Sequence, residues 1–229
     1  MRVCAVLPVY NEADTIEEIV SRVRATGRVA EIVAVDDASD DGTRQKLDRL
    51  ASEIDELRVF FHETNRGKGA ALRTAFAHVE SELIVIQDAD LEYDPTDYTV
   101  LLRPILDGKA DVVYGSRFLG GPYVRVHLFW HYVGNRFLTL LSNCFTNLNL
   151  TDMETCYKVF RREVAQKLDI QSKSFAVEPE ITAKVAKMRV RVYEVPISYS
   201  GRDYSEGKKI GPKDAIIALF AIVRWTLFA

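Results

Sequence analysis

Three acidic residues at alternating positions close an apolar run in Ile84-Val85-Ile86-Gln87-Asp88-Ala89-Asp90-Leu91-Glu92. If the chain stays extended there, Asp88, Asp90 and Glu92 point to one side. Hard carboxylate oxygens crowded at the end of a strand suit Mg²⁺ or Mn²⁺, and such an ion keeps waters and binds the phosphates of a nucleotide. The same residues also compose a solvated acidic turn, because Asp94-Pro95 follows and both types favour loops. An Asp-x-Asp pair does not separate these readings by itself. The rest of the chain must supply a nucleotide-binding scaffold.

Two further clusters carry chemistry of a related kind. Asp36-Asp37-Ala38-Ser39-Asp40-Asp41-Gly42-Thr43 follows a buried apolar run, where Asp37 can accept hydrogen bonds from a base or a ribose hydroxyl. Ser39, Asp40 and Asp41 read instead as caps of the next helix. Asn65-Arg66-Gly67-Lys68-Gly69-Ala70 reads as an anion loop opening a helix, its glycines permitting close backbone approach. It lacks the spacing and the Lys-Ser/Thr of a phosphate loop, so Lys68 is either a secondary phosphate site or a surface lysine.

The elements that must position these clusters alternate. Strand patterns at Val3–Pro8, Glu31–Val35, Leu57–His62, Leu83–Gln87 and Val112–Ser116 are interleaved with helical patterns at Thr15–Ala25, Thr43–Ser52, Lys68–Val79 and Asp97–Asp107. The alternation predicts an α/β fold, a mostly parallel sheet with helices on both faces and ligands at the C-terminal ends of the strands. The chain of 229 residues, 48 % hydrophobic and 28 % charged, has material for one large domain over 1–229: a compact core at 1–120 and a functional extension at 121–229. A net charge of −3 gives no global argument for nucleic acid. Cys4, Cys144 and Cys156 are too few and scattered for a disulfide framework or a zinc site, which predicts a reducing compartment.

Read in order, PVYNE (Pro8–Glu12), VDDASDDGT (Val35–Thr43), NRGKGAA (Asn65–Ala71), QDADLEYDP (Gln87–Pro95), GSRF (Gly115–Phe118), TDMETCYKVFRREV (Thr151–Val164) and EVPISY with Arg202 to Lys208 resemble the inverting family 2 glycosyltransferases of GT-A fold, in particular the dolichol-phosphate mannose synthase group. The ordered set is far more specific than any single member. The resemblance implies transfer of a hexose from a nucleotide diphosphate sugar to a polyprenyl phosphate, with GDP-mannose the first donor expected and UDP-glucose the second. It also implies residue roles. Pro8, Tyr10, Glu12, Val35 and Asp37 would hold base and ribose, while Asp88 and Ala89 contact the donor. Asp90 and Glu92 would ligate Mg²⁺ or Mn²⁺, Glu92 standing where relatives commonly have Gln or Ser. Arg117, Arg202 and Lys208 would gather diphosphate and lipid phosphate, with Arg136 a weaker acceptor-phosphate candidate. Asp152 would orient or deprotonate a nucleophile, or else cap a helix over Glu154–Arg161. Arg125, Lys209 and Lys213 read as surface cations.

Two segments beyond the core bear on membranes. Leu128–Leu141 is aromatic, amphipathic and flanked by arginines, as an interfacial helix is, and Ala215–Ala229 is apolar with Arg224 and Trp225 near its end. Both are too short or interrupted to span. Alone they read as core or oligomer helices; with a lipid-phosphate acceptor they predict peripheral attachment at the cytoplasmic face, with a membrane-subunit partner conceivable. His127 and His131 lie one helical turn apart but lack a third ligand for zinc. A GT-A transferase acting on a soluble or polysaccharide acceptor and a non-catalytic nucleotide-sugar binder are the competing readings. A dinucleotide oxidoreductase fits poorly, because PVYNE stands where a Gly-rich turn is needed.

Overall fold

The computed structural model describes residues 1–120, 128–174, 176–201 and 212–228. The first half alternates as predicted: β1 (Val3–Val9), α1 (Ile16–Ala25), β2 (Glu31–Asp36), α2 (Thr43–Glu53), β3 (Leu57–Phe61), α3 (Lys68–His78), β4 (Leu83–Ile86), α4 (Tyr98–Leu106) and β5 (Val112–Ser116). The second half adds α5 (Phe129–Thr146), β6 (Lys158–Arg161), α6 (Arg162–Ala165), α7 (Val177–Met188), β7 (Val192–Pro196) and α8 (Pro212–Leu227). One seven-stranded sheet has the order β3-β2-β1-β4-β6-β5-β7, and β6 alone runs antiparallel to its neighbours.

Period-two alternation along the central strands makes the sheet two-faced. Val3, Ala5, Leu7 and Val9 of β1 pack with Ile16, Ile19, Val20 and Val23 of α1, Leu47 and Leu50 of α2, and Leu101, Leu102 and Ile105 of α4. Cys4 and Val6 face the other way, onto Leu72, Ala75 and Phe76 of α3 and Val177, Ile181 and Val185 of α7. With both faces covered, the ligand-accessible backbone is left at the strand ends.

Two expectations are corrected. Residues 154–161 do not form a helix: Lys158–Arg161 is β6, pairing with β4 and β5, and Asp152 caps nothing there. Val159 and Phe160 are wholly buried in opposite core layers, so sheet burial on both faces decides the conformation of this short segment. Strand β4 also stops at Ile86, before the acidic residues, and Leu91 adopts a left-handed conformation (φ 63°). Asp88, Asp90 and Glu92 therefore lie on a turn, and the alternation rule does not apply to them. The end of β4 is fixed by Gln87, whose buried Oε1 accepts from Tyr98 Oη at 2.8 Å and Tyr157 Oη at 2.6 Å.

Asp111 locks the far end of the added strands. It accepts from Arg191 Nε and the Arg191 amide, both at 3.0 Å, from Arg191 Nη2 at 2.8 Å and from Arg161 Nε at 3.2 Å. The hydrogen bonds of the Arg191 side chain hold its carboxyl well below the usual carboxylate range. A depressed pKa stabilises the fold above the ordinary aspartate range, and that stabilisation is lost as pH falls through it. Asp111→Asn is expected to lower the melting temperature at pH 7, with the gap from wild type narrowing as melts are repeated toward pH 3; a gap independent of pH would contradict this.

Candidate functional site

The acidic turn is organised by groups far away in sequence. Asp90 Oδ1 accepts the Glu92 amide at 3.1 Å, which closes the turn around Leu91. Glu92 Oε2 accepts from Tyr199 Oη at 2.7 Å and the Glu92 carbonyl accepts the Ser200 amide at 2.9 Å, so the segment after β7 folds over the turn. Tyr93 lies between the rings of Tyr157 and Tyr199, with centroids 4.7 and 5.2 Å away, and its hydroxyl accepts the Cys156 amide at 3.2 Å. Asp88 is drawn into an ion pair with Lys68, Nζ to Oδ1 at 2.9 Å. Burial is the largest influence and opposes its charge, yet Lys68, the Cys156 thiol and Lys158 together hold the carboxyl below its ordinary value.

The three carboxylates thus have separate tasks. Among the described residues no group of three or more His, Cys, Asp or Glu side chains forms a metal cage. A divalent ion shared with a diphosphate needs only one or two carboxylates, the rest of its shell coming from phosphate and water. Asp90 and Glu92, half-buried hard oxygen donors on one turn, fit that donor set.

The glycine loop turns out to hold an anion of the protein's own. Asp37 is almost wholly buried; its carboxylate accepts from the Arg66 amide at 2.9 and 3.1 Å and from the Gly67 amide at 2.6 Å, while His62 Nδ1 lies 2.6 Å from Oδ1. Amides at the start of α3 therefore bind Asp37, as helix N-termini favour a carboxylate. What the geometry gives is a loop clamp, not the open ribose acceptor expected of Asp37. The glycines serve packing as well: an added Cβ at Gly67 would collide with the Lys173 carbonyl, and one at Gly69 with the Ser172 carbonyl. The helix-cap expectation is likewise altered. Gly42 holds the N-cap of α2 with φ 98°, Asp41 accepts the Thr43 and Ala13 amides at 3.0 Å, and Ser39 Oγ accepts the Asn11 amide at 2.9 Å.

Opposite the acidic turn stands a bidentate pair. Arg117 Nε donates to Asp152 Oδ2 at 2.6 Å and Nη2 to Oδ1 at 2.7 Å, with the Arg117 amide also on Oδ2 at 3.1 Å. The aspartate side chain is wholly buried and the arginine 14 % exposed. Burial works most strongly against the guanidinium charge, but the charge and hydrogen bonds of Asp152, with Tyr93 and Tyr199 adding, together outweigh it, so Arg117 stays a fixed cation. Its guanidinium lies 5.1 Å from the Tyr199 ring centroid, next to the residue that holds Glu92. Arg136 Nη1 reaches the Thr151 carbonyl at 3.4 Å, which brings a second arginine to the Asp152 loop. Glu194 fixes that loop by accepting the Thr151 amide at 2.9 Å and the Asp152 amide at 3.0 Å.

A buried ionic network joins the two sides. Lys68 Nζ lies 3.3 Å from Glu178 Oε1 and donates to Cys156 Sγ at 3.1 Å. Lys158, wholly buried, donates to Glu178 Oε2 and to the carbonyls of Thr155 and Met153. Glu178, Lys158, Tyr93 and Tyr199 escaped the sequence reading. The only signal for the first was a glutamate in an otherwise apolar helical stripe, and for the tyrosines their place inside the motifs QDADLEYDP and EVPISY.

The other expected residues fall at the same edge. Pro8 and Val35 are register partners of β1 and β2, Tyr10 is 42 % exposed, Ala89 is buried on the acidic turn, and Glu12 Oε2 accepts from Thr15 Oγ1 at 2.9 Å. Arg202, Lys208, Lys209, Arg125 and His127 lie outside the described residues, as does the side chain of Lys213. A cavity of about 550 Å³ between α7 and α8, lined by Lys184, Lys187, Arg224 and Trp225 among others, contains none of the expected site residues.

Residues 4–169 match the family model described as glycosyl transferase family 2. Over its whole length the chain is 30 % identical to an undecaprenyl-phosphate mannosyltransferase of Micrococcus luteus, covering 96 % of that protein. It is 29 % identical to a polyprenol monophosphomannose synthase of Mycolicibacterium smegmatis, over 98 % of this chain and 86 % of the other. Among solved structures, a glucosyl-3-phosphoglycerate synthase of Mycobacterium tuberculosis with Mn²⁺, UDP and phosphoglyceric acid superposes with TM-score 0.75 at 19 % identity, covering all of this chain and 79 % of that one. A Pyrobaculum calidifontis mannosyltransferase with GDP-mannose and Mn²⁺ gives 0.63 at 22 % identity, over 99 % and 70 %. The shared fold is GT-A.

Proposed function

The chain belongs to glycosyl transferase family 2, and from that premise we propose that it transfers a hexose from a nucleotide diphosphate sugar to a polyprenyl phosphate, with inversion at the anomeric carbon. GDP-mannose is the first donor proposed and UDP-glucose the second. The observation that carries the reading is the Arg117–Asp152 pair, a cation fixed in a buried site beside a half-buried acidic turn. Relatives matched along the whole chain are named for transfer to lipid phosphates.

A phosphate monoester acceptor is already anionic, so the nucleophile needs little general-base help. The harder task is to bring two anions together and to stabilise the leaving diphosphate. Arg117 meets the acceptor phosphate with Arg136 beside it. Asp152, its oxygens engaged by Arg117, acts as a positioning residue and not as the base. A divalent ion held by Asp90 and Glu92 supplies Lewis-acid stabilisation of the diphosphate when bound. Lys68 and Asp88 form the donor side of the site; Arg202 and Lys208 complete the phosphate-binding set, and Pro8, Tyr10, Glu12, Val35 and Ala89 frame the nucleotide. The whole chain works as one domain, the core to residue 120 binding donor and the remainder forming the acceptor side.

The membrane surface enters through α5 and α8. Phe129, Trp130, Phe137 and Leu140 on α5, Ile216 and Phe220 on α8 and Phe228 just after it are all more than half exposed, and the two helices pack together. No described helix is long and apolar enough to cross a membrane. Large aromatic side chains left in water on adjoining helices suit an interface between headgroups and acyl chains. These side chains support the reading of a peripheral protein, which we place on the cytoplasmic face with a membrane subunit as its partner.

Incubation with radiolabelled GDP-mannose or UDP-glucose, polyprenyl phosphate and Mn²⁺ or Mg²⁺ is expected to put label in the organic phase. A chelator should abolish it, and Asp90→Ala should lower it about 100-fold or more. Label confined to a water-soluble acceptor would overturn the lipid reading. A Trp130→Ser, Phe220→Ser double variant should bind anionic phospholipid vesicles roughly tenfold or more weakly in sedimentation; unchanged binding would rule these helices out as the attachment surface.

A further inference from the structure

Between the Arg117–Asp152 pair and the Lys68–Asp88 pair stands a carboxyl that neither uses. Glu154 follows Asp152 by two residues and precedes Cys156, the contact of Lys68, by two. Its side chain is half-buried, and Oε1 is buried with no hydrogen-bond partner. Thr155 Oγ1 beside it is wholly buried and equally unpartnered, and Glu178 Oε1 has only its 3.3 Å ion pair with Lys68. Buried oxygens left without partners are unfavourable, and several of them close in sequence or charge contact to the Arg117 and Lys68 networks suit the polar groups of a ligand.

The charges acting on Glu154 are Glu178, Lys158, Arg117 and Asp152, so it belongs to both the donor-side and the acceptor-side networks. Burial, with Glu178 adding, pushes its carboxyl up to about 8, which leaves it a neutral acid at pH 7. A neutral carboxyl both donates and accepts, the pairing that a sugar hydroxyl requires. A carboxylate there would instead repel both phosphates.

We propose that Glu154 is a specificity-determining residue that hydrogen-bonds a hydroxyl of the donor hexose, between the diphosphate held at the acidic turn and the acceptor phosphate held by Arg117. This deepens the proposed function and rests on it.

The test is calorimetric titration of wild type, Glu154→Gln and Glu154→Ala with GDP, UDP, GDP-mannose and UDP-glucose in the presence of Mn²⁺. For the sugar-bearing nucleotide that wild type prefers, Glu154→Ala should weaken binding about tenfold or more. It should leave the parent nucleoside diphosphate within about twofold. Glu154→Gln, which keeps a donor and an acceptor, should recover part of the loss. Equal weakening of nucleotide and nucleotide sugar, or no change in either, would overturn the proposal while leaving the donor site intact. Failure of wild type to bind any of the four would overturn the functional reading and this inference with it.

Discussion

A buried guanidinium–carboxylate pair, Arg117 with Asp152, is the interaction on which the acceptor side depends. Neither ion is cheap to bury alone, and removing one partner of such a pair costs about 3–5 kcal/mol because the other is left uncompensated. Arg117 follows β5 directly and Asp152 lies in the loop before β6, so the pair exists because β6 inserts antiparallel between β4 and β5. Glu194 of β7 then pins the loop through the Thr151 and Asp152 amides. The topology that interrupts the parallel sheet is therefore also what fixes a cation at the sheet's ligand-binding edge.

From that edge a continuous set of contacts runs back to the donor side. Arg117 stacks near Tyr199, Tyr199 holds Glu92, Tyr93 holds the Cys156 amide, and Cys156 meets Lys68 beside Asp88. Aromatic hydroxyls bridge carboxylates and backbone here with few free rotors, which suits a site that must keep its geometry between substrates. Opposite charges alternate along the path, so the acidic turn and the basic acceptor side coexist at close range. Asp37 shows the same economy, neutralising the amides of the α3 N-terminus from within.

The first half of the fold was legible because each strand is a short apolar run and α1, α2 and α4 each carry a 3.6-residue stripe; β5 agrees with its predicted bounds and α1 to α4 begin and end within a residue of theirs. The second half was less so. Lys158 gives β6 the appearance of an amphipathic helix, and only the pairing with β4 and β5 makes it a strand. Strand β7 is an edge strand of half-buried and exposed residues with little periodic signal. Arg117, Asp152 and Asp90 could be named from motif position, but their partners could not. The turn at Leu91, the loop-holding task of Asp37 and the close approach of Gly67 and Gly69 to the backbone of residues 172–173 are facts that no local pattern encodes.

The most direct measurement of the account is a double-mutant cycle on Arg117→Ala and Asp152→Asn, read as kcat/KM for lipid-phosphate transfer together with donor dissociation constants. If Asp152 works by fixing Arg117, each single variant falls steeply, the double variant is little worse than Arg117→Ala, and donor binding changes little in all three. Multiplicative losses, or a donor site that fails with Asp152→Asn, would contradict it and return Asp152 to an independent catalytic or structural role.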